Sequence, residues 1–338
     1  MSFKRLYLVK IKRMFFNHIE RQNLGILGGL MWKYIIRRFI SLIPVIIGVT
    51  FIVFMIMNMA PGDPAKSILG EQASPEAIEE LREQLGLNDN VLIQYKNYFF
   101  NLLKGDMGTS YKTKVGVVEE IAARLPTTGK LAIIAIFIAV SFSIPLGIFA
   151  AVKQNTWIDS LTMFVALLGV SIPVFWLGLM LLLFFSLQLG WFPVSGAASW
   201  KSFVLPGVTL GFLSMAAIAR VTRSSMLEVI RQDYIRTARS KGVPYNTIIR
   251  KHALKNALIP TITVAGLQIG SLLGGSVLTE TVFGLPGIGR LMIQSIQGRD
   301  IPMVLGCIII FTVLFSIVNL IVDIIYAFID PRIRNQYT

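Results

Sequence analysis

Cysteine and histidine are nearly absent from this chain. Its 338 residues include one cysteine, Cys307, and two histidines, His18 and His252. A single cysteine excludes an intrachain disulfide, and so few thiolate and imidazole ligands leave no basis for a structural zinc site. We therefore predict no metal site, and we interpret Cys307 as a small buried hydrophobic residue.

Charged residues are also scarce, at 15% of the chain against 54% hydrophobic residues. Soluble domains are about 25% charged and 45–50% apolar, so this excess points to a second apolar solvent, the bilayer. Each uncharged stretch can hold a helix of about 20 residues, and the sequence predicts an all-α membrane protein with about six transmembrane helices. The stretches are 39–62, 131–152, 160–200, 202–219, 256–279 and 301–322.

The stretch 160–200 is long enough for two helices, but its ends differ in character. The segment 190–196, Gly-Trp-Phe-Pro-Val-Ser-Gly, is typical of an aromatic turn at the membrane interface. We therefore predict one helix at roughly 161–189, with a kink near Ser171 caused by Pro173.

Basic residues gather in a few segments, although the net charge is +14. Residues 1–38 hold nine Lys/Arg and one acid, and 220–257 hold nine Lys/Arg and two acids, whereas 59–128 hold seven Lys/Arg and ten acids. This asymmetry predicts that the first two segments and both termini are cytoplasmic and that the third is external. Because the charges are clustered and not interleaved with exposed aromatic residues, we predict no nucleic-acid binding.

The external loop, 60–128, carries signals of folded structure. Ser74 and Pro75 are typical of the start of a helix and Gly86 of its end, which predicts a short amphipathic helix. The aromatic stretch Tyr95–Phe100 is expected to lie against the membrane surface or the helix bundle. Such a loop either contacts an extracytoplasmic partner or caps the bundle.

Residues 1–30 form a basic, partly apolar extension without the features of a signal peptide. Translation starting at Met31 or a surface-lying cytoplasmic extension would each account for them. The remaining residues, 31–338, form the predicted transmembrane domain.

The predicted cytoplasmic loop 221–257 has the start and stop signals of two helices. The pattern over 232–240 is helical, Gly242 can end that helix in a left-handed conformation, and Pro244 can start a second short helix. Two short helices at an angle would form a rigid lever projecting from the bilayer. An ordinary basic loop explains the Lys and Arg residues but not this pattern.

Four segments resemble one family closely. The first is the cytoplasmic loop, with Asp-Tyr-Ile-Arg-Thr-Ala-Arg-Ser-Lys-Gly at 233–242, Lys-His-Ala-Leu-Lys-Asn-Ala at 251–257 and Leu-Ile-Pro at 258–260. The other three are Ala-Pro-Gly-Asp-Pro (60–64), Gly-Asp-Met-Gly-Thr-Ser (105–110) and Val-Phe-Gly-Leu-Pro-Gly-Ile-Gly (282–289). They are similar to the permeases of binding-protein-dependent ABC importers, in the branch for dipeptides, oligopeptides, glutathione and nickel. The generic coupling motif of that family has Glu-Ala-Ala where this chain has Arg236-Thr237-Ala238. The resemblance covers about 31–338.

The resemblance implies a type I ABC importer permease fold in a bacterial or archaeal inner membrane. It implies a paralogous second permease subunit, two separate ATPase subunits that bind ATP and Mg²⁺, and an extracytoplasmic substrate-binding protein. It also implies that the cytoplasmic loop inserts into the ATPase. On this basis Arg236, Thr237, Ala238, Gly242 and Pro244 shape the coupling helix, and Tyr234 and His252 pack around it.

The chain lacks a phosphate-binding loop of its own. That motif requires Gly-x-x-x-x-Gly-Lys-Ser/Thr, whereas the pair Gly129-Lys130 is followed by Leu131 and has Arg124 at the first glycine position. We therefore predict that this chain is not an enzyme and binds no cofactor.

Polar residues within the predicted spans are candidates for the translocation pathway, because such residues face the interior of a bundle. Gln268, between Gly266 and Gly270, is the preferred candidate. For serines and threonines, close helix packing is the alternative explanation. The other candidates are Asn58, Ser271 and Asn319.

Three other classes compete with the importer. A transporter driven by an ion gradient would show charges at mid-span and inverted repeats; an intramembrane enzyme would show catalytic groups in its spans; and a membrane scaffold would leave the cytoplasmic loop unexplained. Peptides are the leading substrate class, while glutathione and nickel chelates stay open.

Overall fold

The computed structural model of this chain describes residues 36, 39–59, 62–70 and 72–329. The predicted extension at 1–30, the alternative start at Met31 and residues 60 and 61 of the second family segment lie outside the described residues. The helices are α1 (Phe39–Met59), α2 (Pro64–Leu69), α3 (Pro75–Gln84), α4 (Val91–Leu103), α5 (Val117–Val152), α6 (Trp157–Ser171), α7 (Val174–Leu181), α8 (Val204–Ile230), α9 (Asp233–Ser240), α10 (Tyr245–Thr247), α11 (Leu254–Val282), α12 (Ile288–Gln297) and α13 (Ile301–Ile329).

Five helical segments are long and apolar enough to cross a membrane, and the bent pair α6–α7 makes a sixth if it counts as one span. The prediction of an all-α protein with about six spans is therefore confirmed. The five are α1, α5, the segment Trp200–Ile230 with α8, the segment Tyr245–Val282 with α11, and Ile301–Ile324 within α13.

The single helix predicted at 161–189 is wrong. α6 ends at Ser171, and the chain bends by 103° before α7 and its π-helical continuation, Leu182–Gln188. Ile172 adopts an extended conformation (φ −82°, ψ 125°), because the ring of the following proline disfavours helical geometry in the residue before it. Pro173 therefore breaks the helix instead of kinking it. The turn predicted at 190–196 is confirmed, since these residues are not helical.

The two ends of the bundle are named here after their charges. The acidic end carries the loop between α1 and α5, and the basic end carries α9 and the turn after it. Large exposed aromatic residues mark both ends: Trp157 starts α6 near the basic end, while Trp191 and Trp200 lie at the acidic end. Tryptophan is enriched at both membrane–water interfaces, so these side chains mark the apolar layer.

The helices α5 and α8 form the centre of the bundle and make its most extensive contact. Glycines allow this close approach. A Cβ atom at Gly147 would lie 2.7 Å from the carbonyl oxygen of Ala219, and one at Gly211 would lie 2.6 Å from that of Ala135. α11 packs against both helices, and α13 packs against α11 and α5. Small residues at such contacts are typical of membrane helix pairs.

The loop at the acidic end is folded. Ser74 caps α3 by accepting a hydrogen bond from the amide of Ala77 at 3.2 Å, and Gly86 follows the helix with φ +65°. The predicted short helix is thus confirmed. Arg82 of α3 donates to the Asp63 carboxylate at 2.7 and 3.0 Å, which holds α3 to the start of α2.

The aromatic stretch at 95–100 lies in α4 and contacts the bundle. The hydroxyl group of Tyr95 lies 3.0 Å from that of Thr50 and 3.0 Å from the carbonyl oxygen of Ile47, both in α1. The Tyr95 ring also packs edge-on against Phe51, with 5.1 Å between the ring centroids. Of the two positions expected for this stretch, contact with the bundle is therefore the one observed.

A buried carboxylate holds the loop between α4 and α5. Asp300, at the start of α13, is 3% exposed and accepts a hydrogen bond from the Ser110 hydroxyl. Its other oxygen accepts from the amides of Tyr111 at 3.1 Å and Met303 at 3.4 Å. Charge-assisted hydrogen bonds of this kind are about twice as strong as neutral ones, so Asp300 fixes this loop to the bundle.

Candidate functional site

The predicted coupling segment consists of α9 and the turn that follows it. Gly242 has φ +76°, and its amide donates to the carbonyl of Arg239 at 2.9 Å. The amide of Val243 donates to the carbonyl of Ala238 at 3.2 Å, which completes a C-terminal cap of the type that requires a left-handed residue. The predicted role of Gly242 in ending the helix is confirmed.

The second helix starts directly after Pro244 as predicted, but the prediction that it is short is wrong. The chain continues from α10 through a π-helical stretch, Ile248–Ala253, into α11, so Tyr245–Val282 forms one helix of 38 residues. Pro260 lies inside this helix and does not end it. The π-helical stretch carries the helix past the charged residues at 250–255 without a break.

The inner face of the coupling segment is buried and apolar. Ile235 of α9 is fully buried and packs with Met226 of α8 and with Ile248 and Ile249 of the following helix. Ala238 is half-buried at the edge of this cluster. An amphipathic helix is held to a protein mainly by such a face, so α9 is fixed to the ends of α8 and α11.

The outer face of the coupling segment is exposed and mainly cationic. Arg236 lies 3.8 Å from Asp233, but both side chains are exposed, so this ion pair contributes little to stability. The guanidinium group of Arg239 lies 5.5 Å from the ring centroid of Tyr245, a cation–π contact. The other predicted coupling residues on this surface are Thr237, Gly242, Pro244 and His252.

Tyr234 bridges the two parts of the segment. Its side chain is 42% exposed, and its hydroxyl group accepts a hydrogen bond from the amide of Asn256 at 2.8 Å. This bond joins α9 to the first turn of α11 across the outside of the segment. α9 is therefore held to α11 by a polar contact as well as by the apolar cluster.

A salt bridge joins the neighbouring helices at the same end. Arg223 of α8 donates to both oxygens of Asp159 in α6, at 2.6 and 2.7 Å. The same carboxylate accepts from the amide of Asn155 at 3.1 Å. A two-point Arg–carboxylate contact is geometrically specific, so it fixes the start of α6 against α8.

The four candidate pathway residues do not form one cluster through hydrogen bonds. Gln268 of α11 lies 3.3 Å from the Ser214 hydroxyl of α8, so it faces the bundle. Ser271, one turn further along α11, is exposed. Asn58 donates to the carbonyl of Phe54 in its own helix at 3.0 Å, and Asn319 is half-buried on α13.

Glu280 is a buried carboxylate that the sequence analysis missed. It is fully buried at the acidic end of α11, where one oxygen accepts from the Thr128 hydroxyl of α5 at 2.7 Å and the other from the amide of Arg290 at 3.1 Å. Thr128 in turn accepts from the amide of Ile288 at 2.9 Å. Glu280 therefore joins α5, α11 and the first turn of α12.

Glycines make room for this carboxylate. A Cβ atom at Gly287 would lie 2.3 Å from the Glu280 carboxylate, and one at Gly289 would lie 2.5 Å from the backbone of Val277. The glycine-rich segment shortly after an acidic residue was therefore the available signal. A negative side chain near a helix N-terminus is also favourable, and the Glu280 carboxylate lies at the N-terminus of α12.

In the part of the chain that the structure describes, no group of three or more His, Cys, Asp or Glu side chains could hold a metal ion. The polar groups above bind one another or backbone groups. One end of the bundle thus presents the exposed, mainly cationic face of α9, and the other is held by buried polar contacts.

Comparisons with known proteins place the chain in a family. The model of the binding-protein-dependent transport system inner membrane component matches residues 143–335, and the N-terminal model of the same systems matches 31–132. The chain is 47% identical over 332 residues to a dipeptide transport system permease of Alkalihalophilus pseudofirmus, covering 90% of this chain and 100% of that one. It is 44% identical over 304 residues to a glutathione transport system permease of Escherichia coli K12, covering 90% and 99%.

A solved structure of an inward-facing MetNI methionine ABC transporter has the same fold, with a TM-score of 0.54 and 19% identity, covering 62% of this chain and 96% of that one. The apolar helices and these matches agree. The chain therefore belongs to the inner-membrane permeases of binding-protein-dependent ABC importers, and it is a multi-pass transport subunit and not an enzyme.

Proposed function

We propose that this permease forms half of the translocation pathway of an importer for small peptides. The support is the similarity over 90% of the chain to permeases named for dipeptide and glutathione transport. Dipeptides and oligopeptides are the leading substrates, with glutathione or nickel chelates as the alternatives within the same family branch.

We infer that the basic end faces the cytoplasm and the acidic end the exterior. The support is the excess of Lys and Arg at 220–257 and of Asp and Glu at 59–128, since positive loops stay on the cytoplasmic side. We propose that both termini are then cytoplasmic, because the described residues hold an even number of spans when α6 and α7 count as one.

The observation that carries the proposed mechanism is the continuity of the helix that follows the coupling segment with α11. The helix Tyr245–Val282 has 38 residues, or about 57 Å at 1.5 Å per residue. Its cytoplasmic start packs against α9 through Ile235, and its other end carries Glu280. A displacement of α9 is thereby passed along one helix to the external side, where α12 is attached.

The proposed partners are those that the family resemblance implies. Two ATPase subunits, which bind ATP and Mg²⁺, each receive one coupling segment, and a paralogous permease supplies the second segment. A binding protein delivers substrate outside. Because Arg236 and Arg239 are exposed on the coupling segment, we infer that the receiving groove carries carboxylates, as complementary charge favours association.

We propose that Arg236, Thr237, Ala238, Gly242 and Pro244 shape the coupling surface, with Tyr234 and His252 beside them. For the pathway we propose Gln268 and Ser271 of α11, with Asn58 and Asn319 as further lining residues. Ser271 supports this choice, since its exposure on α11 leaves it free to face substrate or a second permease.

The first test is purification of the full chain from native membranes in mild detergent, with amine crosslinking through the exposed Lys241 and Lys251. Recovery of a second six-span permease and of ATPase subunits is expected. Purification of the chain alone, with no ATPase crosslinked to this segment, would overturn the coupling proposal and favour a gradient-driven transporter or a scaffold.

A matched pair of variants tests the role of Gly242. A non-glycine residue in the left-handed region costs about 1–2 kcal/mol, and a β-branched one costs more, so Gly242→Val should distort the turn. We expect peptide uptake to fall about tenfold or more while ATP hydrolysis persists. Gly190→Val is the control, since Gly190 has φ +65° and open space around it at the opposite end. Equal uptake by the two variants would contradict the proposal.

A further inference from the structure

A polar cavity of about 700 Å³ lies at the acidic end of the permease. It is bounded by the loop between α4 and α5, the first turns of α5, the end of α12 and the start of α13. Ligand pockets typically have volumes of about 300–1,000 Å³, so this cavity is large enough for a small solute. The charged and amide side chains that line it are those of Lys112, Glu120, Arg124, Gln294, Gln297 and Asp300.

The walls of the cavity are held in place by contacts within the chain. Asp300 binds the Ser110 hydroxyl and the amide of Tyr111, so the loop cannot move independently of α13. The Thr113 hydroxyl donates to Glu120 at 2.8 Å, which ties the same loop to α5. A site fixed in this way loses little entropy when a ligand binds.

The charged side chains of the cavity differ in how many hydrogen-bonding groups they leave free for a ligand. The Asp300 carboxylate is buried and already accepts several hydrogen bonds. Glu120 is bound to Thr113 and, at 3.1 Å, to Arg124. Among the described residues Lys112 makes no ion pair, and Arg124 has further N–H groups beyond the one directed at Glu120. The cavity therefore offers unused cationic donors.

We propose that this cavity binds the free carboxylate of a small peptide through Lys112 and Arg124. Arg and Lys are the side chains that recognise carboxylates, and a guanidinium group can do so with two parallel hydrogen bonds. The amides of Gln294 and Gln297 on α12 supply donors and acceptors for the peptide groups next to that carboxylate. The proposal rests on the proposed function, and it adds a binding step outside the bundle before the substrate crosses.

The test is a ligand-observed NMR titration of the full chain in lipid nanodiscs, with dialanine and its C-terminal amide as probes. Dialanine should bind at least about tenfold more tightly than the amide, as expected for one charge-assisted hydrogen-bonded contact. Lys112→Gln should remove this preference. Lys104→Gln, an exposed lysine of the same loop that does not line the cavity, should keep it.

Equal binding of dialanine and its amide to the unaltered chain would overturn the inference. So would an equal effect of Lys112→Gln and Lys104→Gln. Folding of each variant is checked by the protection of the buried Cys307 thiol from a thiol-reactive dye. Copurification of the Lys112→Gln chain with its ATPases tests the importer separately, so failure of the cavity and failure of the proposed function are distinguishable.

Discussion

The two ends of this permease are held together by different kinds of contact. At the acidic end, the buried carboxylates Glu280 and Asp300 accept hydrogen bonds from hydroxyl and backbone groups of neighbouring segments. At the basic end, α9 is held mainly by burial of Ile235 against Met226 and Ile248. Polar contacts fix direction and distance at the first end. At the second, α9 is held mainly by apolar packing, which has no preferred direction, beside one hydrogen bond from Asn256 to Tyr234, while the Arg223–Asp159 salt bridge joins α8 to α6.

This difference suits the two proposed roles. Buried hydrogen bonds in a region of low dielectric specify one arrangement and are costly to break, which suits a closed external end. Apolar packing leaves the charged side chains of α9, Asp233, Arg236 and Arg239, on the outside, so this exposed surface is free to bind a partner. Rigid attachment and an available surface are thereby combined in one short helix.

Breaking the polar contacts should have the largest effect. Glu280→Ala removes the acceptor for Thr128 and for the amide of Arg290. A buried donor left without a partner costs about 1–3 kcal/mol, so for these two donors we expect a loss of about 2–6 kcal/mol in the free energy of opening the acidic end. The measurement is the rate at which a thiol-reactive dye labels Cys307, the chain's single cysteine, which is buried among α5, α12 and α13.

The control for this variant is Glu83→Ala. Glu83 is an exposed carboxylate on α3, and surface substitutions of this kind stay within about 0.5 kcal/mol. If Cys307 is labelled no faster in Glu280→Ala than in Glu83→Ala, the Glu280 carboxylate does not hold the acidic end closed.

Breaking the apolar packing should have the next largest effect, and at the other end. Ile235→Ala removes the side chain that anchors α9, and such substitutions in a packed core cost about 2–4 kcal/mol. We expect faster tryptic cleavage after Arg236 and Arg239, with the labelling rate of Cys307 unchanged. Ile296→Ala is the control, because Ile296 is 41% exposed.

Acceleration of Cys307 labelling in Ile235→Ala would contradict the division between the ends. It would mean that release of α9 alone, without a partner, opens the external side. The expected outcome is local release, because the cluster around Ile235 contains no residue of the acidic end.

The smallest expected effect depends on pH and again separates the two ends. Burial, with a further contribution from Asp300, raises the pKa of Tyr111 to about 12 from about 10. The neutral phenol is thus favoured in the folded chain, so its contribution to stability is complete below pH 10 and is lost as the pH rises from 10 to 12. A loss of about 1–2 kcal/mol is expected after allowance for partial exposure.

Alkaline titration of Cys307 labelling measures this loss. Tyr111→Phe should reduce the pH dependence and should leave a remainder, since burial also raises the pKa of Tyr98. Tyr245→Phe is the control at the basic end, where Tyr245 is 44% exposed. An unchanged alkaline profile in Tyr111→Phe would exclude this phenol as the source.

Local signals predicted much of this fold correctly. The uncharged stretches marked the spans, Ser74 and Gly86 marked α3, and Gly242 marked the end of α9, because capping and helix length depend on neighbouring residues alone. The bend at Pro173 was underestimated. A proline limits the residue before it, but how far the helix then turns is decided by the helices packed around it.

Two features of the site depend on contacts between distant residues, which the span and capping signals do not specify. Glu280 appears in sequence as the charged end of an apolar stretch, and its burial depends on α12 folding back over it. The unbroken helix from Tyr245 to Val282 depends on the packing of Ile248 and Ile249 against α8 and α9.

The close pairing of α5 and α8 limits how related sequences can diverge. At Gly207, an added Cβ atom would meet the side chain of Ile134 at 2.7 Å, so a smaller residue at 134 can relieve the clash. At Gly211 the obstacle is the carbonyl oxygen of Ala135 at 2.6 Å, and no substitution removes a main-chain atom. Position 207 can therefore change if position 134 changes with it. At Gly211 no second substitution compensates, so we expect glycine to be retained there in related sequences.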